Sequence, residues 1–200
     1  MSEVVTKPSS VDIEGAVAEF DRENKVIEGA LQTLFAAYPS NTNPVHVLLK
    51  VTALNTLYST QIPLYSSRVP TILDVVTHIV SLGIDSRLSR GDDGVVRDIA
   101  AVEVATKSPR FYYSFATKYC SWQNRDSYPI FDSRVLHYLC YLMVHNCLDR
   151  LRQAEFWDYT RFRGVVQGFR AKYDLEKFRL VAQRASACEN LALGIWVSFL

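Results

Sequence analysis

The chain has 200 residues, 48% of them hydrophobic and 22% charged, which excludes a disordered chain and gives one domain or two small lobes around a shared core. The formal net charge of +1 excludes a protein that holds nucleic acid by its overall charge, and leaves only a local basic patch for that purpose. Cys120, Cys140, Cys147 and Cys188 contain no Cys-x-x-Cys pair, and His46, His78, His137 and His145 have no triad spacing, so neither a metal nor any other cofactor is expected.

Residues 1–10 are polar and read as a flexible N-terminus, followed by a single helical domain over 11–200. From Val11 to Tyr38, Val17, Phe20, Ile27, Leu31, Leu34 and Phe35 recur at helical spacing, with Asp21–Asn24 a place where the run can divide. The turn cluster Pro39–Pro44 stops it. Val45 to Ile62 is apolar on several faces and reads as a central helix ended by Pro63; its polar exceptions Asn55, Tyr58 and Gln61 share one side. Leu64 to Leu82 reads as a helix closed by Gly83, Ile84 to Gly94 as a surface connection, and Val95 to Val104 as a short helix.

Two further helices are expected at about 109–122 and 132–146, then an aromatic one from Phe156 to Lys172. Asp174 is placed to cap a last helix whose apolar stripe runs from Leu175 to Phe199. No stretch alternates as a strand does, so the fold class is all-α. No apolar run reaches the roughly eighteen residues needed to span a membrane. Met1 opens a polar stretch without an apolar signal core, and the cysteines in apolar helical patterns read as buried thiols. A cytoplasmic protein is expected (nuclear in a eukaryote), with no membrane contact.

The segment around Lys107–Leu139 carries the chemistry. It leads from Ser108-Pro109 through an aromatic helix and an irregular loop to Pro129-Ile130-Phe131, and delivers one carboxylate, Asp132, onto a helix start. Asp132 has two readings: an ordinary N-cap, or a catalytic acid whose approach is stiffened by Pro129.

Two segments resemble the helix-hairpin-helix DNA glycosylase superfamily, the fold of endonuclease III and the 8-oxoguanine glycosylases. Pro44–Ile62, PVHVLLKVTALNTLYSTQI, is similar to that family's central helix, with Gln61 at the glutamine that enters DNA near the lesion. Pro129–Leu139, PIFDSRVLHYL, is similar to its aspartate element, with Asp132 at the catalytic position. The resemblance implies a two-lobed helical bundle with a cleft, one lobe over about 44–122 and the other built from the N-terminal helix and 129–200. The family hairpin reads Leu-Pro-Gly-x-Gly, whereas Ala105–Arg110 has no glycine, and no counterpart of the lyase lysine is in its motif context.

The resemblance further implies hydrolysis of an N-glycosidic bond in double-stranded DNA with a flipped base, Asp132 stabilising the charge that builds on the sugar. The DNA and base contacts expected with it are Asn55, Tyr58, Gln61, Lys107, Arg110, Tyr113, Lys118, Trp122 and Arg134. Five of them have a plainer reading. Asn55 and Gln61 serve as satisfied polar groups at a helix end, Tyr113 as core, Trp122 as either core or pocket rim, and Lys118 as a lysine lying over aromatics. The alternative function is a protein without catalysis that binds nucleic acid or a protein partner. Oligomeric state, the excised base and a repair or defence role are not legible.

Overall fold

A computed structural model describes residues 10–144, 152–173 and 175. The expected last helix beyond Asp174, together with His145, Cys147 and Cys188, lies outside the described residues. Among those described, eight α-helices and a two-residue strand pair form the structure, so the all-α expectation holds. The chain divides into two compact units, Ile27–Tyr128 and Met1–Val26 with Pro129–Leu200.

Helix α1, Ser10–Ala37, runs through Asp21–Asn24 without a break. From Ile27 onward it belongs to the first unit, where Glu28, Leu31 and Phe35 are buried. Helix α2, Pro44–Leu57, starts where Asn43 Oδ1 accepts from Val45 N at 2.9 Å and Pro44 occupies the first turn. It is the central element, with Val47, Val51 and Leu54 fully buried, and it packs against α3 (Ile72–Leu82). A capping box starts α3: Asp74 accepts from both the backbone and the hydroxyl of Thr71. Gly83 ends it with φ 58°, a left-handed turn that glycine adopts without steric cost.

Helices α4 (Asp85–Ser89), α5 (Gly94–Ala100) and α6 (Tyr113–Gln123) complete this unit. Strands β1 (Ala101–Val102) and β2 (Arg110–Phe111) pair antiparallel between α5 and α6. Helices α5 and α6 pack together, with Val95, Val96 and Ile99 of the one and Phe115, Ala116 and Tyr119 of the other buried.

Three expectations are corrected here. The central helix stops at Leu57, not Ile62, because the Asn55 side chain captures the backbone beyond it. Residues 64–71 are irregular rather than helical, since Pro63 and Pro70 bracket them and Thr71 starts α3. The surface connection 84–94 holds α4, and both Ile84 and Leu88 are buried. The short strands escape a pattern search because two residues give no alternation to read.

In the second unit, α7 is Ser133–Val144 and α8 is Tyr159–Lys172, preceded by a 3-10 turn at Gln153–Trp157. Asp158 caps α8, accepting from Thr160 N at 3.0 Å. Phe131 meets Phe162 edge-on, centroids 5.2 Å apart, and Tyr159 Oη donates to Pro129 O at 3.0 Å.

Candidate nucleic-acid interface

The loop 58–71 and its neighbour 104–112 carry the exposed side chains Leu64, Tyr65 and Phe111. The loop is irregular yet fastened along its length. At its start, Tyr58 Oη donates to Glu28 Oε1 at 3.2 Å and accepts from Trp122 Nε1 at 3.2 Å. Asn55 then makes three bonds: Nδ2 donates to Ile62 O at 2.9 Å, while Oδ1 accepts from Thr60 Oγ1 and Ile62 N, each at 2.9 Å. These hold Ser59 and Gln61 at φ 50° and 60°, a left-handed region that costs a residue with a Cβ roughly 1–2 kcal/mol.

The loop closes where Ile72 N donates to Pro63 O at 3.0 Å. Ser66 Oγ accepts from Arg68 N at 3.1 Å and Val69 N at 3.2 Å, making the turn at its far side. Arg68 O accepts from Ser108 N at 2.8 Å, and Pro70 O from Tyr112 Oη at 2.7 Å, so the loop is tied to the 104–112 segment. What this leaves in solvent is Leu64, Tyr65 (87% exposed), Leu73 and Phe111, with the exposed arginines Arg68 and Arg110.

Over 58–71 and 104–112 the sequence places three cations, Arg68, Lys107 and Arg110, and no acid. Lys107 is committed to Asp74 at 2.5 Å. Burial works to raise the Asp74 pKa, but the bonds from Lys107 and from Thr71 outweigh it and hold the carboxyl below its usual range. Among the described residues Arg68 and Arg110 form no ion pair and remain available to an anion.

Beneath the loop lies a buried polar cluster. Arg125 stacks on Trp122 with its guanidinium 3.6 Å from the ring centroid and donates to Glu28 Oε2 at 2.8 Å. Lys118 Nζ lies 5.5 Å from the Tyr58 ring centroid and donates to Ser114 Oγ at 2.7 Å. Burial first, and the Glu28 charge second, push the Tyr58 hydroxyl above its ordinary pKa, so it stays a neutral donor.

The structure therefore gathers Tyr58, Lys118 and Trp122, and sets Asn55 at the end of α2, bonded into the loop that holds Gln61. Tyr113, Lys118 and Trp122 are buried, so they underlie the surface instead of forming a stacking face; Tyr113 lies parallel to exposed Phe111 at 5.7 Å. Gln61 is exposed, and Lys107 and Arg110 sit on the tied neighbour. Asp132 and Arg134 belong to the other unit, Arg134 exposed on α7. Asp132 caps that helix: Oδ1 accepts from Val135 N at 2.9 Å and its carbonyl from Leu136 N at 3.0 Å.

Sequence reasoning passed over Glu28, Leu64, Tyr65, Arg68 and Arg125. Leu64 and Tyr65 hid inside an apolar run assigned to a helix. Only the flanking Pro63 and Pro70 with Ser66-Ser67 signalled otherwise.

A family model described as HI_0787_N, N-terminal domain, matches residues 12–127. The chain belongs to the HI_0787_N family. That match overturns the helix-hairpin-helix glycosylase resemblance, for which no family match is found. The short stretches that suggested it follow from general rules: a proline-led apolar helix and an aspartate N-cap occur in many helical proteins. The segment shared with HI_0787_N contains nearly all of the Ile27–Tyr128 unit and ends before Asp132. A Haemophilus influenzae relative described as "Uncharacterized protein" is 32% identical over 117 residues, which is 58% of this chain and 57% of that protein. The match thus spans little more than half of the relative's length. No solved structure matches.

Among the described residues no helix is long and apolar enough to cross a membrane, and no group of His, Cys, Asp and Glu is arranged to hold a metal ion.

Proposed function

We propose that the Ile27–Tyr128 unit is a nucleic-acid-binding module without catalysis, with the loop 58–71 and the 104–112 segment as its contact face. The observation that carries this reading is a local basic face on a nearly neutral chain: Arg68 and Arg110 exposed on two hydrogen-bonded segments that hold no acid, beside exposed Tyr65 and Phe111. Arginines engage phosphate oxygens through a planar fork of donors, and aromatic rings offer base-stacking faces. Base excision by Asp132 rested on the glycosylase resemblance and loses its support with it. The capping bond to Val135 already gives that carboxylate a purpose.

Binding of a labelled oligonucleotide, followed by fluorescence anisotropy across salt, tests the module. Two phosphate contacts give a log–log salt slope of about −1.4 on a single strand and about −1.8 on a duplex, and Arg68→Glu with Arg110→Glu should abolish binding. Absence of binding at low salt removes the reading. The exposed leucines Leu64 and Leu73 favour a protein partner as the second reading, and salt-independent capture of a partner by the same face would establish it instead.

A further inference from the structure

We infer that this face selects unpaired bases, with Tyr65 as the residue on which a base stacks. The inference rests on the nucleic-acid reading above and names its substrate class, single-stranded nucleic acid.

The first ground is the contrast between a fixed backbone and a free side chain. Tyr65 is 87% exposed and Leu64 before it 55%, although bonds on both sides hold the loop that bears them. Pro63 O is fastened to Ile72 N two residues earlier, and Ser66 Oγ forms the turn one residue later. Exposing two large apolar side chains in water has no folding benefit, and a tyrosine that is unsupported in the free protein gains on meeting a flat apolar surface. Because the backbone is already ordered, little further entropy is lost when the ring is covered.

The second ground is the strain that keeps the loop as it is. Ser59 and Gln61 both stand in the left-handed region, and the Asn55 side chain makes three bonds to Thr60 and Ile62 that keep them there. Two such residues two positions apart persist where the surroundings over-determine them, a circumstance common at ligand-binding segments.

The third ground is the placing of charge. Arg68 follows Tyr65 on the same turn, and its carbonyl is bonded to Ser108, two residues before Arg110. A ring and two guanidiniums on hydrogen-bonded segments supply the two kinds of contact a strand calls for, a face for a base and donors for a phosphate. In a duplex the base faces are already stacked on one another. Only an unpaired base presents its face to Tyr65. Glu103, exposed just before the 104–112 segment, and Asp74, held by Lys107, are the nearest acids in sequence, and neither lies within 58–71 or 104–112.

The test uses the full chain and two labelled probes, a short oligothymidylate and a blunt duplex of the same length, measured by anisotropy at low salt. The inference expects the single strand to bind at least about tenfold more tightly than the duplex. Tyr65→Ala should weaken single-strand binding about 5- to 100-fold and leave duplex binding within about twofold, while Tyr65→Phe keeps the preference. Tyr65 is exposed, so its removal leaves the fold intact, which a circular dichroism melt checks. Equal binding of both probes, or a Tyr65→Ala variant that binds the single strand as the parent does, overturns the inference and leaves the module standing. Failure of both probes to bind overturns the module itself.

Discussion

Two loops flank α2, and the same helix fastens both, with opposite results. Before it, Lys50 reaches back: Nζ donates to Tyr38 O and Ser40 O, each at 3.1 Å, and to Asn41 Oδ1 at 2.6 Å. With its amide oxygen turned toward the ammonium, Gln123 accepts from Lys50 Nζ at 2.9 Å and donates to Pro39 O at 3.1 Å. Asn41 Nδ2 bonds Asp85 Oδ1 at 2.6 Å, and Tyr119 Oη donates to Asn41 Oδ1 at 2.5 Å. Phe35 and Tyr119 lie against the ammonium, at 5.5 and 5.6 Å from the ring centroids. Asn41 and Lys50 are buried. After α2, Asn55 fastens 60–62 from a half-buried position, and the loop it organises ends in open solvent.

The difference lies in the chemistry of the anchor. A lysine only donates, so it gathers carbonyl oxygens around itself and must be enclosed by them to offset the loss of water. An asparagine both donates and accepts, so it copies a backbone turn and holds a loop outward without being covered. The first loop closes the core, whereas the second displays side chains. A mutation in one should therefore cost stability, and a mutation at the tip of the other should cost only binding.

The largest effect is expected at Lys50. Lys50→Met keeps the stem but strands several buried oxygen acceptors, and should lower unfolding stability by about 2–4 kcal/mol at neutral pH in a urea titration. The same pair of proteins has a pH signature. Burial, opposed by the Asp85 charge, lowers the Lys50 pKa from 10.5 to about 8. Between those values the unfolded chain holds a proton that the folded chain has lost, so stability rises with pH across that window. The cost of burying the charged form is fully present below it. Relative to Lys50→Met, the parent should gain about 3 kcal/mol from pH 8 to 10.5. A parallel pH profile for the two proteins would remove lysine burial from the comparison.

A smaller effect is expected at Asn55. Asn55→Ala removes three bonds and frees two strained residues, for a net loss of about 1–2 kcal/mol, with a larger loss in oligonucleotide affinity as the loop becomes mobile. Amide exchange at Thr60 and Ile62 should accelerate first. The smallest is at Gln61: Gln61→Gly relieves the left-handed strain but loosens the unfolded chain, for a gain of about 0.5 kcal/mol seen as a slightly higher Tm. A drop in Tm would mean that the Gln61 side chain contributes something its exposure does not suggest.

Much of the helical frame was legible in the residues themselves. The Asn43-Pro44 start of α2, the Gly83 stop of α3 and the apolar spacing of α7 and α8 are local signals, and each marked its element within a few residues. The candidate face was legible only in fragments. Asn55, Gln61, Lys107 and Arg110 were singled out, but Tyr65 and Arg68 were absorbed into the first part of a helix that begins only at Ile72. The likeness of two short stretches to a glycosylase failed because capping and proline-led helix starts obey the same local rules in unrelated folds.

What the sequence by itself determined is an all-α chain with a nearly neutral surface and a central apolar helix carrying a few polar residues. Periodicity and caps act over one or two turns, so they can be read without knowing the neighbours. Only the tertiary structure decided that Lys50 lies inside while Tyr65 lies outside. Their exposure is set by partners far along the chain, Gln123 and Tyr119 for the lysine, Ser108 and Ile72 for the loop that bears the tyrosine, and no local pattern encodes contacts at that distance.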